Sequence, residues 1–279
     1  MNNFVIAFND TLESRLLVSS MITDIEFIKY PSITKPVEED FKQIFYNTLF
    51  HGLIAKNDTL PDILSPDFKE DLDLDRTRFF LNYSQSPWIS IHIGDNLKNL
   101  SDDECIINAK KNIQYIRENI SNDRLHYIAL ENMELGSNLN TLKPDFITRL
   151  IKETGCKLLL DTAHATIAAH LLNMDVFEYV SKLPLNDLVE IHFSGTAKEK
   201  DTIYSHIRAR EKDYELLEYI LSKKTPYVVT LEYGLYDKVY KSGFLNNMQR
   251  VSYSKINIEA LNEILYMYYR VNKLRKHSF

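Results

Sequence analysis

The sequence predicts one α/β domain, a single (β/α)8 or TIM barrel over residues 1–279. Three observations carry this. Eight short apolar runs recur along the chain, with a helix or helix-length segment between each pair. The length of 279 residues suits one such barrel. The last six runs each stop at a histidine or a carboxylate, as strands do when they end at a common catalytic rim.

Taken in order, Phe4 to Phe8 reads as the first strand. Asp10, with Glu13 three residues on, forms a capping box for a helix reaching about Met21. Asp24 to Ile28 is a second strand, and Pro36 to Tyr46 is helical, with Phe41, Ile44 and Phe45 on one face. Thr48 to Phe50 is a third strand ending at His51. A stretch rich in turn residues follows, Asn57 to Ser65. Ser65-Pro66-Asp67 supplies a cap, a first-turn proline and an acid for a helix carrying Phe79, Phe80 and Leu81. Pro87 to Ile91 is the fourth strand, ending at His92.

Ser101 with Glu104 caps a helix whose apolar face holds Ile106, Ile107, Ile113 and Ile116. Tyr127 to Leu130 is the fifth strand, ending at Glu131. Pro144 to Thr154 is a helix stopped by Gly155. Lys157 to Leu160 is the sixth strand, ending at Asp161. Val176 to Leu183 is helical and closed by Pro184. Leu188 to Ile191 is the seventh strand, ending at His192. Asp213 to Lys223 is helical, and Tyr227 to Leu231 is the eighth strand, ending at Glu232. A C-terminal helix over about 258–275 packs on the barrel, and its basic end suits the helix dipole. No linker, low-complexity tract or internal repeat divides the chain.

The composition narrows the chemistry. A net charge of −6 and a pI near 5.8 disfavour nucleic acid as a partner. The two cysteines, Cys105 and Cys156, are far apart and form no CxxC, which argues against a disulfide scaffold and a thiolate zinc site and fits a reducing cytoplasm. The N-terminus lacks the features of a signal peptide, and no apolar run approaches the ~20 residues that span a membrane. Neither a GxGxxG nor a Walker loop is present.

The rim carries the functional expectation. A carboxylate ending a strand buried on both faces is costly without a partner, so Asp161, with His164 three residues on, points to a metal. A lone strand-end histidine is more often a hydrogen-bonded core residue, and a lone acid there more often caps the next helix. Six consecutive strand ends of this kind favour the metal reading instead. His51, His92, His164 and His192 with Glu131, Asp161 and Glu232 are donors for zinc, manganese or iron. So many donors imply two or three ions with bridging carboxylates. His206 and Asp201, in the loop after the seventh strand, are further candidates. Arg208 and Arg210 are expected to bind a substrate carboxylate or phosphate, and Asn132 to support the site beside Glu131. His126 and His170 are expected to be structural.

These residues form a resemblance. Phe50-His51-Gly52, His92, Leu130-Glu131-Asn132, Asp161-Thr162-Ala163-His164, His192 and Glu232 together resemble the xylose-isomerase-like barrels. Glu131-Asn132 with Gly136-Ser137-Asn138-Leu139, and the Asp161-Thr162-Ala163-His164 run, are similar to endonuclease IV, a trinuclear zinc enzyme that cuts DNA at abasic sites. Thr154 to Asp161 and Leu183 to Gly195 look more like the multinuclear non-heme iron-dependent oxidases, which include the oxidase of methanobactin biosynthesis. The resemblance is best over about residues 125–235. It implies two or three irons held by His51, His92, Glu131, Asp161, His164, His192, His206 and Glu232, with Glu131 bridging. It also implies O2-dependent modification of a ribosomally made peptide, often at cysteine, with Glu131, Asp161 and His164 in the catalytic centre, and a peptide-recognition partner protein. Independently of the resemblance, Arg208, Arg210 and Asn132 are expected to contact the substrate. The chain departs from that pattern at His164, where the oxidases usually carry Asn. It departs again at Asp201 and His206, which are five apart where the family has Asp-x-His. A zinc phosphodiesterase of the endonuclease type, and a sugar isomerase or epimerase using Glu131 and Glu232, are the competing expectations.

Overall fold

The computed structural model describes residues 4–25, 27–31, 47–56, 61–84, 86–94, 100–120, 126–134, 139–199, 202–234 and 256–277. The helix expected over 36–46 lies outside these, as do Asp201, residues 136–138 and residues 57–60. Eight parallel strands close into a barrel: β1 (Val5–Asn9), β2 (Phe27–Pro31), β3 (Thr48–His51), β4 (Trp88–His92), β5 (Tyr127–Glu131), β6 (Lys157–Asp161), β7 (Leu188–Phe193) and β10 (Val228–Leu231). The helices are α1 (Leu12–Ser19), α2 (Phe68–Asp71), α3 (Leu74–Ser84), α4 (Asp102–Ile120), α5 (Pro144–Thr154), α6 (Thr162–Leu171), α7 (Val176–Ser181), α8 (Glu211–Lys223) and α9 (Ile258–His277). This is the predicted (β/α)8 barrel.

The period-two geometry of a strand sorts each one's residues between two environments. Ile6, Ile28, Phe50, Ile89, Leu130, Leu158, Leu160, Ile191 and Val229 point outward into the core beneath the helices. Ala7, Leu49, Trp88, Ala129, Leu159, Val189 and Val228 form a separate apolar cluster. The register then sets the rim: His92 is level with Glu131, and Asp161 with His192. Helix α6 begins at the rim itself. The Asp161 carboxylate accepts from the His164 amide at 2.7 Å and so caps that helix.

Local signals explain the helix ends. Gly155 ends α5 in the left-handed conformation, at φ 64°, which glycine adopts without penalty. Ser101 and Glu104 form the expected box at the start of α4. Four expectations are corrected. Thr11 and Ser14, not Asp10 and Glu13, cap α1, because Asp10 is held by a bidentate pair with Arg15 at 2.6 Å for each bond, and Glu13 accepts from the Asn257 amide. The second strand starts later than Asp24, whose carboxylate is engaged by Tyr268 and Arg275. The helix after Ser65 breaks into α2 and α3, because Leu72 turns extended to bridge Ala55 and bury its side chain. The segment after β7 is an antiparallel hairpin, β8 (Gly195–Glu199) and β9 (Thr202–Ile207), not a loop. Gly195 permits that hairpin: a Cβ there would collide with the Arg208 carbonyl.

Tyr179 on α7 is fully buried and donates to the Leu142 carbonyl at 2.8 Å. Tyr179→Phe leaves that carbonyl unpaired, and we expect a loss of about 1–3 kcal/mol, measured as a lower midpoint in urea unfolding with an unchanged slope.

Candidate metal centre

The strand ends deliver their side chains to one small volume. His51 Nε2 stands 3.3 Å and His92 Nε2 3.6 Å from Glu131 Oε2. His192 Nδ1 lies 3.2 Å from Glu131 Oε1, 3.1 Å from Glu232 Oε1 and 3.9 Å from Asp161 Oδ2. His164 Nε2 and His206 Nε2 are each 3.9 Å from Asp161 Oδ2, and His206 Nε2 is 3.2 Å from Glu232 Oε2. Three groups have their donor atoms within 4.8 Å of one another: His51, His92 and Glu131; Glu131, Asp161 and His192; Asp161, His164 and His206. Glu131 belongs to the first two and Asp161 to the last two. The predicted site residues His51, His92, Glu131, Asp161, His164, His192, His206 and Glu232 are therefore brought together.

Local structure fixes each ring. His51 Nδ1 is 2.9 Å from Ser90 Oγ, His164 Nδ1 is 2.9 Å from the Asn132 carbonyl, and His206 Nδ1 is 2.9 Å from Ser205 Oγ. In His51 and His206, Nε2 is the nitrogen turned to the carboxylates; His164 turns Nε2 to Glu134 and Asp161 and has Nδ1 3.5 Å from Glu131 Oε1. His192 is reversed, with Nδ1 on the carboxylates and Nε2 turned down toward Glu190. His206 holds a left-handed backbone, φ 56°, uncommon for a residue with a side chain. Its carbonyl accepts from the Gly234 amide at 2.7 Å, which ties the hairpin to the segment after β10.

The electrostatics call for a cation. Glu131, Asp161 and His192 are at most 1 % exposed. Burial pushes the Glu131 carboxyl up, yet the His192, His92 and His51 imidazoles together hold it well below the usual carboxylate range. Burial likewise opposes ionisation of Glu232, and His192 and His206 outweigh it. For Asp161 burial wins over His164 and His206, and its carboxyl is raised. Burial disfavours the charged His206 ring, but the Glu232 hydrogen bond and the nearby carboxylates lift it to about 9. Glu131 Oε2, Asp161 Oδ2 and Glu134 Oε2 are buried and accept no hydrogen bond among the described residues. Orphaned carboxylate oxygens facing imidazole nitrogens are costly in a low-dielectric interior, and a divalent cation resolves both. The donor set, with imidazole and carboxylate and no thiolate, fits zinc, manganese or iron.

Other predicted residues take different places. Asn132 is fully buried, and its amide clamps the Asp161 backbone in both directions, at 2.8 and 3.1 Å. It positions the Asp161 turn, the supporting place expected of it beside Glu131. Arg208 pairs with Glu263 at 3.1 Å. Arg208 and Arg210 line a cleft of about 440 Å³ with Tyr214, Tyr266 and Arg270.

Three groups escaped the sequence reading. Glu134 Oε2 lies 3.8 Å from His164 Nε2. Glu190 and Lys29 form a buried ion pair at 2.6 Å beneath the rim. Glu190 was detectable: two residues before His192, it must share that residue's face of the strand.

Neither cysteine joins the centre. Cys105 and Cys156 are buried and unpaired, and burial pushes each thiol up to about 11. A raised thiol value keeps the reactive thiolate scarce. We expect iodoacetamide to leave both unmodified in native protein at neutral pH and to modify both after denaturation, as read by mass spectrometry.

Comparison with known proteins places this geometry. A profile described as "RiPP precursor modification enzyme MbnB/TglH/ChrH" matches residues 62–239, more than half of the chain. UPF0276 proteins of Bordetella pertussis, Bordetella parapertussis and Bordetella bronchiseptica are 34% identical over 94 residues, 31% of this chain and 32% of each relative. The match thus spans about a third of those relatives' length. Among solved structures, the IOLI protein with a binding zinc atom superposes with a TM-score of 0.66 at 12% identity, over 97% of this chain and 99% of that one. Endonuclease IV from Thermus thermophilus gives 0.60 at 11%, over 96% and 99%. A D-tagatose 3-epimerase-like protein gives 0.59 at 16%, over 94% and 100%. At these identities the structures share the xylose-isomerase-like barrel fold and nothing finer.

Proposed function

Because the chain belongs to the MbnB/TglH/ChrH family of RiPP precursor modification enzymes, we propose that it is a multinuclear iron-dependent oxidase that uses O2 to modify a ribosomally synthesised peptide at cysteine. The observation that carries this is the rim: three donor groups share Glu131 and Asp161, and the shared carboxylates have buried oxygens without hydrogen bonds. Bound there, two or three irons would supply the electrons and the Lewis acidity for oxidation of a substrate thiol by O2.

The chain's own residues do the remaining work. His51 and His92 with Glu131 form one seat, Glu131, Asp161 and His192 with Glu232 the second, and Asp161, His164 and His206 the third. Asn132 keeps the Asp161 turn rigid between the second and third. His92 and His206, with side chains 28% and 25% exposed, mark the open side from which a peptide would enter. Arg208 and Arg210, which line one cleft, would engage a carboxylate of the peptide. The family suggests a peptide-recognition partner protein. The unpaired cysteines fit a cytoplasmic setting, and no helix among the described residues is long and apolar enough to cross a membrane.

One observation favours a second reading. His164, an imidazole where the oxidases usually carry Asn, adds a nitrogen donor to the third seat, 3.9 Å from Asp161. That arrangement would suit a zinc phosphodiesterase, although a net charge of −6 opposes binding a DNA backbone. The experiment supplies iron-loaded protein with O2 and a cysteine-containing precursor peptide. Oxygen uptake with a change in peptide mass is expected. Nicking of abasic DNA by the zinc form, with no change to any peptide, would establish the rival.

A further inference from the structure

His192 turns Nδ1 to three rim carboxylates and Nε2 away from them, and the cause lies below it. Glu190 precedes it by two residues on β7 and therefore points into the same barrel interior. Glu190 is fully buried, and both its oxygens are engaged from three other strands. Lys29 Nζ on β2 donates to Oε1 at 2.6 Å, Thr230 on β10 donates to Oε1 at 2.8 Å, and Trp88 Nε1 on β4 donates to Oε2 at 2.8 Å. His192 Nε2 faces Glu190 Oε1 at 3.3 Å and makes no hydrogen bond among the described residues.

A carboxylate already accepting three bonds can offer His192 only a lone pair. Carboxylates face both ring nitrogens, so with no cation bound each nitrogen carries a hydrogen; a cation at the rim would displace the Nδ1 hydrogen and leave the Nε2 hydrogen directed at Glu190. Lys29 keeps Glu190 ionised without adding net charge beneath the seat. Stability alone does not explain the pair, since a buried ion pair is commonly replaceable by apolar side chains without loss.

We infer that Lys29, Glu190, Trp88 and Thr230 form a positioning device in the barrel floor that locks His192 in the tautomer whose Nδ1 can bind a divalent metal at the middle seat. The inference rests on the reading of the rim as a metal centre. Histidine ligands elsewhere are oriented by such partners, whose loss costs about 10–100-fold in metal affinity. Glu190→Gln inverts the arrangement, because an amide N–H can donate to Nε2 and move the hydrogen to Nδ1. The charge-balanced pair Lys29→Met with Glu190→Leu removes the device while filling its space.

Two readouts test it on the full chain. The first is the histidine ring nitrogen spectrum of Zn(II)-loaded protein, which reports which nitrogen keeps its hydrogen. The second is Zn(II) titration by calorimetry. In folded Glu190→Gln or the double variant, His192 is expected to lose its Nε2–H signature. One class of zinc sites should weaken about 10–100-fold, and the class held by His51, His92 and Glu131 should keep its affinity. A folded variant with the wild-type tautomer and all zinc affinities unchanged overturns the inference. Wild-type protein that takes up no Zn(II) overturns the metal reading itself, and is told apart because the failure then appears without any substitution.

Discussion

Glu131→Gln is expected to disable two metal seats at once. Glu131 Oε2 faces His51 and His92, and Oε1 faces His192, so a single carboxylate serves two donor groups. An amide of the same shape fills the space but carries no charge and offers only one acceptor oxygen. The fold should survive, because the residue's own hydrogen bonding is confined to the centre and the barrel around it is apolar. We expect bound metal to fall to at most one equivalent per chain. Turnover should drop by more than about 100-fold, beyond the upper range for losing a mere ligand-orienting partner. Elemental analysis and single-turnover assays check this. An unchanged metal content would remove Glu131 from the bridging role.

Stripping the metal is the second large effect. Without a cation, buried Glu131 and Asp161 share one rim with partly buried Glu232, and Glu131 Oε2 and Asp161 Oδ2 accept no hydrogen bond among the described residues, so folding must bear that cost. A ligand that binds only the folded state adds about 4 kcal/mol when present at a thousand times its Kd. For a domain of this size that corresponds to a rise in Tm of about 8–16 °C. Scanning calorimetry with chelator, and again after metal is restored, should show that span. Glu131→Gln should show a smaller one, since it has fewer seats to fill and fewer charges to neutralise. Equal Tm values with and without metal in the wild-type protein would mean that the rim binds no ion of consequence.

How much of this the sequence disclosed follows from where each signal lies. The barrel was legible because its strands are short, apolar and bounded, and because the residue ending each one is conspicuous in an apolar context. His51, His92, Glu131, Asp161, His192 and Glu232 could be found that way without any knowledge of pairing. Glu190 was hidden inside a strand, where a carboxylate reads as noise until face and register are considered together. Lys29 was hidden by a strand boundary placed too early: with the second strand ended at Ile28, a lysine just beyond it looks solvated, and only the pairing with β1 and β3 shows it to be inside. The β8–β9 hairpin was missed because Gly195-Thr196-Ala197-Lys198-Glu199 has little apolar alternation, so His206 looked like a loop residue. Thr11 displaced Asp10 as helix cap through a competitor, Arg15, that no capping rule considers. Long-range partners decide these cases, and single-sequence patterns report local ones.

The metal centre is tested most directly by anomalous scattering at the iron edge from crystals of protein reconstituted anaerobically with Fe(II). At least two iron peaks are expected, one enclosed by His51, His92 and Glu131 and one by Glu131, Asp161 and His192. A map with no iron peak at either group would contradict that expectation.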